Sequence, residues 1–246
     1  QDTKASFNYL GQTLGYGLTD RLTIEAELGL FINKTRRSEL AGEEIGRGWS
    51  NALASIKYSL WKDKLRDWEL TTGVGVRFPF SSNLKEDSDG YPLSMDVQPS
   101  TGTTGFVGQF FLYKGFIPQG WRFFLLNRIE LYGINDIGYQ YGKANYTSFF
   151  VSRRLNLHWT AILQVRNEWR DYDYWEDILL ANTGSNVVFL APQINLNLAQ
   201  KWNISLLAEL PVLRSYHHSQ LGAKYAFALN IIRDFDLAER ELLKKE

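Results

Sequence analysis

The stretch Leu22-Thr23-Ile24-Glu25-Ala26-Glu27-Leu28-Gly29-Leu30-Phe31-Ile32 puts an apolar residue at every even position and mostly charged or small residues at odd ones. Successive side chains of a strand point to opposite faces, so this segment has one oily face and one polar face. The pattern recurs at Ala52, Ala54, Ile56, Tyr58 and Leu60, and at Trp68, Leu70, Val74, Val76 and Phe78. It returns at Ala161, Leu163, Val165 and Trp169, then at Val188, Leu190, Ile194, Leu196 and Leu198. Ile204 to Val212 and Leu221 to Ile231 close the series. There are about eleven such segments of mostly about 10–15 residues, against roughly 5–6 for soluble strands and about 9–11 for a strand crossing a bilayer.

The connections alternate in length. Short ones fall at Thr19-Asp20-Arg21, at 62–67, at Pro118-Gln119-Gly120, around Asn156-Leu157-His158 and at 200–203. Longer ones cover 33–48, 81–101, 135–144, 171–184 and 215–219. Outer-membrane barrels have short periplasmic turns and longer outside loops, a phase that a soluble barrel has no reason to keep. Tyr16, Trp61, Trp68, Trp121, Trp159, Trp202 and Phe235 sit at segment ends, where an interfacial aromatic girdle belongs. The expected fold is an all-β, antiparallel transmembrane barrel of about 12 strands. The turn phase makes the first visible segment, Phe7 to Leu18, descend from outside. An even strand number then implies one more strand, either before Gln1 or unresolved in the pattern. The barrel is assigned to residues 1–235, and 236–246 to a charged periplasmic tail.

Composition removes other classes. The 246 residues are 44% hydrophobic and 22% charged, with no apolar run near the 18 residues or so of a membrane helix. Twenty-seven basic residues balance 27 acidic ones, which argues against a nucleic-acid binder that works by phosphate neutralisation. Cysteine is absent, so disulfides, thiolate metal sites and cysteine nucleophiles are excluded. The only methionine is Met95 and no signal peptide is visible, which does not make the chain cytoplasmic.

Several motifs carry a resemblance. Ala191-Pro192-Gln193-Ile194, Leu207-Ala208-Glu209-Leu210-Pro211-Val212 and Gln220-Leu221-Gly222-Ala223-Lys224-Tyr225-Ala226-Phe227 resemble the C-terminal half of the phenol-degradation meta-pathway transporter family of outer-membrane proteins. Tyr16-Gly17-Leu18-Thr19-Asp20-Arg21-Leu22, Gly75-Val76-Arg77-Phe78-Pro79 and Gln98-Pro99-Ser100-Thr101-Gly102-Thr103 are similar to its earlier parts. The resemblance implies a barrel channel linked to hydrophobic or aromatic compounds, with a further strand ahead of the first hairpin.

By the alternation, the polar face carries Glu25, Glu27, Lys57, Glu69, Arg77, Arg122, Arg128, Glu130, Arg166, Glu168, Arg170, Glu209 and Lys224. Such residues form cross-strand ion pairs that stiffen the interior, or a charged constriction that selects solutes. No catalytic residue is assigned. His158 lies at a short turn, while His217 and His218, near Ser215 and Ser219, give sequence adjacency without triad geometry. The acidic runs Glu86-Asp87-Ser88-Asp89-Gly90 and 171–177 lack a calcium-loop ligand series and read as solvated loops. No metal or cofactor is expected.

The expected function is passive passage of small solutes, hydrophobic or aromatic ones included, across the bacterial outer membrane. The alternative is a non-conducting structural barrel that anchors protein partners through its outside loops or tail. A soluble lipocalin-like binder is a third reading, disfavoured by segment length. Outer-membrane lipid is the expected surroundings.

Overall fold

The computed structural model describes residues 3–38, 42–80, 84–198, 201–218 and 220–235. The tail assigned to 236–246 lies outside the described residues, as does Ser219. The strands are β1 (Lys4–Gly17), β2 (Leu22–Ser38), β3 (Gly42–Trp49), β4 (Ala52–Asp63), β5 (Trp68–Phe78), β6 (Gly105–Phe116), β7 (Trp121–Tyr132), β8 (Tyr139–Gln140), β9 (Ala144–Arg154), β10 (Trp159–Arg170), β11 (Tyr174–Trp175), β12 (Ile178–Leu179), β13 (Ser185–Leu198), β14 (Trp202–Tyr216) and β15 (Ala226–Arg233). Eleven of them form one antiparallel path, β1-β2-β4-β5-β6-β7-β9-β10-β13-β14-β15, and β3 pairs with the upper part of β2. Sequence neighbours are sheet neighbours throughout, as in an up-and-down barrel wall. Among the described residues no ladder joins β1 to β15, so these two are the sheet's edges.

The sheet is strongly curled. Arg128 on β7 meets Glu27 on β2 at 3.1 Å, although β4, β5 and β6 stand between them. At roughly 4.8 Å per strand a flat sheet would hold those strands about 19 Å apart, too far for the two side chains to bridge.

Curling separates two faces as the alternation requires. On the convex face Ile24 is 39% exposed, Leu206 56% and Leu229 64%. On the concave face the Glu27 and Arg166 side chains are 29% and 25% exposed. An apolar outer face of this extent is stable only against hydrocarbon, since each large aliphatic side chain left in water forgoes about 1.5–3 kcal/mol. The inner face also carries Ser55, Ser59, Ser148, Ser152, Gln164 and Ser205, all buried, and these small groups leave room for the long charged ones.

Two sequence expectations need correction. Residues 33–48 read as a loop, yet β2 runs on to Ser38 and pairs with β3. Arg37 opposite Glu43 and Arg36 opposite Glu44 hold this hairpin, and a charged ladder leaves no apolar alternation to detect. The last segment was expected from Leu221, but the strand begins at Ala226. There β15 pairs with β14 only from Trp202 to Glu209, so 221–225 has no ladder to join.

The rims differ in charge. The short-turn end carries Arg21, Lys62, Lys64, Arg66, Lys114, Arg122, Arg153, Arg154, Lys201 and Arg233 against Asp20, Asp63, Asp67 and Asp234. The long-loop end is nearly balanced, with Lys4, Lys34, Arg36, Arg37, Arg47, Lys85, Lys143, Arg170 and Arg214 against Glu43, Glu44, Glu86, Asp87, Asp89, Asp96, Asp136, Asp171, Asp173, Glu176 and Asp177.

Candidate functional site

Along its inner face β7 presents, from the short-turn end upward, Arg122, Phe124, Leu126, Arg128, Glu130 and Tyr132. That order divides the interior into tiers. In the middle is an ionic belt. Arg128 donates from both terminal nitrogens to the Glu27 carboxylate at 3.1 and 3.2 Å, a two-pronged bond. Its Nε lies 2.8 Å from Glu130 Oε1 as a charge contact without hydrogen-bond alignment. Glu130 also accepts from Arg77 at 2.9 Å and from the Tyr132 hydroxyl, and Lys57 pairs with Glu25 at 2.6 Å. Three acids thus face three bases, and the belt is neutral.

A second cluster occupies the β10–β14 wall. Arg166 reaches Glu209 at 3.0 Å and Glu168 at 3.8 Å, and Arg170 meets Glu168 at 2.8 Å. The Arg166 guanidinium covers the Phe189 ring at 4.7 Å. Glu69 pairs with Lys62 at 3.3 Å near the short-turn end. Of the candidate charges from the sequence, Arg122 is exposed at the short-turn mouth, and Lys224 is exposed in the segment before β15. The remaining eleven stand in the pairs just described.

Below the belt the wall changes chemistry. Phe124 lies 5.6 Å from Phe111, 5.2 Å from Tyr113 and 6.4 Å edge-on from Phe150. A cavity of about 350 Å³ opens there, lined by Gln109, Phe111 and Tyr113 of β6, Leu126 of β7, Lys57 of β4 and Glu69 and Thr71 of β5. Gly73 of β5 lines it, where a Cβ would meet the Ile56 carbonyl and Lys57 Cγ at 3.0 Å. A Cβ on Gly75 would fall 2.8 Å from the Ala54 carbonyl and from the Ser55 Cβ, closer than real Cβ contacts allow. Strand alternation alone does not reveal this tier. Its trace in the sequence is a set of aromatic doublets, Phe110-Phe111, Phe123-Phe124 and Phe149-Phe150, in which one ring faces out and its neighbour in.

Above the belt the connection 84–104 folds into the mouth. Val97 and Leu93 are buried, and Val97 packs against Gly46 of β3, where no Cβ would fit. Lys34 donates to the Gln98 carbonyl at 3.0 Å and Arg36 to Ser94 at 3.1 Å. Glu44 accepts from the Ser94 backbone and hydroxyl at 3.0 and 2.9 Å. Gln98 closes the loop on itself through Lys85 and Leu93. Asn51, at the β3–β4 joint, donates to Thr101 at 2.5 Å and accepts from Ser100 and the Thr101 backbone at 2.7 and 3.0 Å. A membrane crossing takes β2 from Leu22 to about Ile32, so Lys34 lies beyond the span. Burial pushes its ammonium down to about 8, with Asp96 acting in the opposite sense. Gln98, Ser100 and Thr101 fall in a stretch the sequence resemblance picks out, but their contacts did not show in the pattern, because a polar side chain folded back on a loop leaves no periodic signal.

Two further connections join over the same mouth, where β8, β11 and β12 form a small three-stranded sheet. Asp173 accepts from the Gly142 backbone at 2.7 Å and from the Tyr139 hydroxyl. Asp87 accepts from the backbones of Asp89 and Tyr91 at 2.9 Å each. The acidic runs therefore have structural uses as turn acceptors. The His217 and Tyr172 rings lie 4.6 Å apart at a tilt, and His158 lies in the β9–β10 turn.

The girdle residues take one level. Trp68, Trp121, Trp159 and Trp202 each open a strand at the short-turn end, Trp61 lies near the end of β4, Tyr16 near the end of β1, and Phe235 just beyond β15.

No family model matches the chain, and no curated protein matches it. Among solved structures the chain is similar to the crystal structure of an outer membrane channel from Pseudomonas putida F1. The identity is 15%, the match covers 95% of this chain and 86% of that one, and the TM-score is 0.73. At that identity the likeness establishes the fold, which is that of an outer-membrane β-barrel.

Proposed function

We propose that the chain is a passive channel of the bacterial outer membrane for small, uncharged solutes with an aromatic or otherwise apolar portion. The observation that carries this reading is the cavity beneath the ionic belt, about 350 Å³ in volume and aromatic on one wall. A ring of small-molecule size finds aromatic partners in Phe111 and Tyr113, against which Phe124 packs, while Gln109 and Thr71 offer hydrogen bonds to a single polar substituent. The neutral belt adds no net charge to attract ions of either sign. Fold similarity to a channel and the partial sequence resemblance to the phenol-degradation meta-pathway transporter family point the same way.

The test is transport by the purified barrel in lipid vesicles, with benzyl alcohol against a polyol of equal mass. Faster entry of the aromatic compound, lost in a Phe111→Ala/Phe124→Ala variant with an intact barrel, supports the reading. Absence of both conductance and solute entry, together with stable co-purification of a protein partner, would replace it with the structural anchor.

A further inference from the structure

The outer face at the short-turn end carries one device three times. Trp68, Trp121 and Trp202 are the first residues of β5, β7 and β14. Each stands directly across the ladder from a cation: Trp68 from Lys114, Trp121 from Arg153 and Trp202 from Arg233. In each pair the charge sits over the ring, at 5.1, 5.0 and 4.9 Å from its centroid. Lys114 also covers Phe116 at 4.8 Å and Arg233 covers Phe235 at 4.6 Å. All three side chains share the parity of the lipid-facing residues of their strands, so they point away from the lumen.

None of the three cations has an ion-pair partner among the described residues, whereas most charges on the inner face are paired. Lys114 makes one hydrogen bond, to the Arg66 carbonyl. A cation held flat on an indole at the edge of the hydrocarbon keeps its remaining N–H donors directed toward the headgroup layer. We infer that these three Trp–cation pairs are binding sites for the phosphate of anionic glycerophospholipids in the leaflet at the short-turn side. The stacking fixes each guanidinium or ammonium in place, and the lipid phosphate supplies the acceptor the protein lacks. Their places on β5–β6, β7–β9 and β14–β15 spread them around the wall, so lipid contacts the barrel at separate points. Position also matters. The other cation–ring contacts among the described residues lie inside the barrel or at its long-loop mouth, as with Arg166 on Phe189 and Lys34 on Phe31.

The experiment compares binding of phosphatidylglycerol and phosphatidylcholine to the detergent-purified full chain by native mass spectrometry, in wild type and in Lys114→Gln/Arg153→Gln/Arg233→Gln. A control with the same change in net charge, Arg47→Gln/Lys143→Gln/Arg214→Gln, removes exposed cations at the opposite end. Heat-modifiable gel mobility confirms that each variant retains its barrel. Wild type should prefer phosphatidylglycerol, each rim cation removed should lower that preference about fivefold, and the control should keep it. Equal binding of both lipids by wild type, or equal loss in the control, overturns the inference. So does displacement of phosphatidylglycerol by an equal concentration of inorganic phosphate, which would mark a site for the free ion and not for lipid.

Discussion

If the barrel conducts as proposed, breaking the pair that spans the interior should change its selectivity in a direction fixed by which partner is removed. Glu27→Gln leaves Arg128 with Glu130, which Arg77 already neutralises, so the belt gains one positive charge. Arg128→Gln leaves Glu27 unpaired and gives one negative charge. A unit charge about 5 Å from a passing ion is worth about 0.8 kcal/mol at the dielectric constant of water, about fourfold in a permeability ratio. The Arg128 side chain is 18% exposed and that of Glu27 29%, so the true dielectric is lower and fourfold is the minimum. Glu27→Gln should therefore favour chloride and Arg128→Gln potassium, each by about fourfold or more, read as reversal potentials of opposite sign across a planar bilayer under a KCl gradient. The double variant should return toward the wild-type value, as required for two charges acting on one another. Shifts of the same sign in both single variants, or no shift in either, would show that the pair stands off the conducting path.

Three other outcomes follow from the same geometry. Gly75→Val should destabilise the barrel by about 1–3 kcal/mol through overpacking against Ala54 and Ser55, seen as a lower temperature for the loss of heat-modifiable mobility. Asn51→Leu removes four hydrogen bonds at the root of the infolded connection; residues 100–103 should exchange amide hydrogens faster while the β4–β5 ladder keeps its protection. Lys34 has a pKa of about 8 when the 84–104 connection is docked and 10.5 when solvated. Docking therefore releases a proton and strengthens as pH rises from about 8 toward 10.5, with the benefit lost again as pH falls to 8. Proteolysis within 84–104 should slow over that window in wild type and show no such dependence in Lys34→Met.

The wall was legible in the sequence because a strand between lipid and water must alternate, and Leu22 to Ile32 or Ile204 to Val212 cannot alternate without showing it. Turn phase and the tryptophans at strand starts were legible for the same reason, since the bilayer fixes where each may lie. Legibility stopped where the bilayer stops. The β2–β3 hairpin is held by Arg36, Arg37, Glu43 and Glu44 in water, and its oily period vanishes. The aromatic tier was hidden because Phe111, Phe124 and Phe150 interrupt the polar face with apolar residues, so they read as noise in the pattern. The partners of Glu27 and Arg77 could not be read either. Both contacts join strands that are not sheet neighbours, and only the curl of the sheet brings them together.

A formally neutral chain can still be electrically polar, and this one is. With a marked excess of bases at the short-turn rim and only a slight excess of acids at the long-loop rim, the barrel has a permanent moment along its own axis. Chains inserted in a single orientation should carry unequal currents at equal and opposite voltages, so the protein would act as a weak diode whose polarity reports which rim faces which compartment.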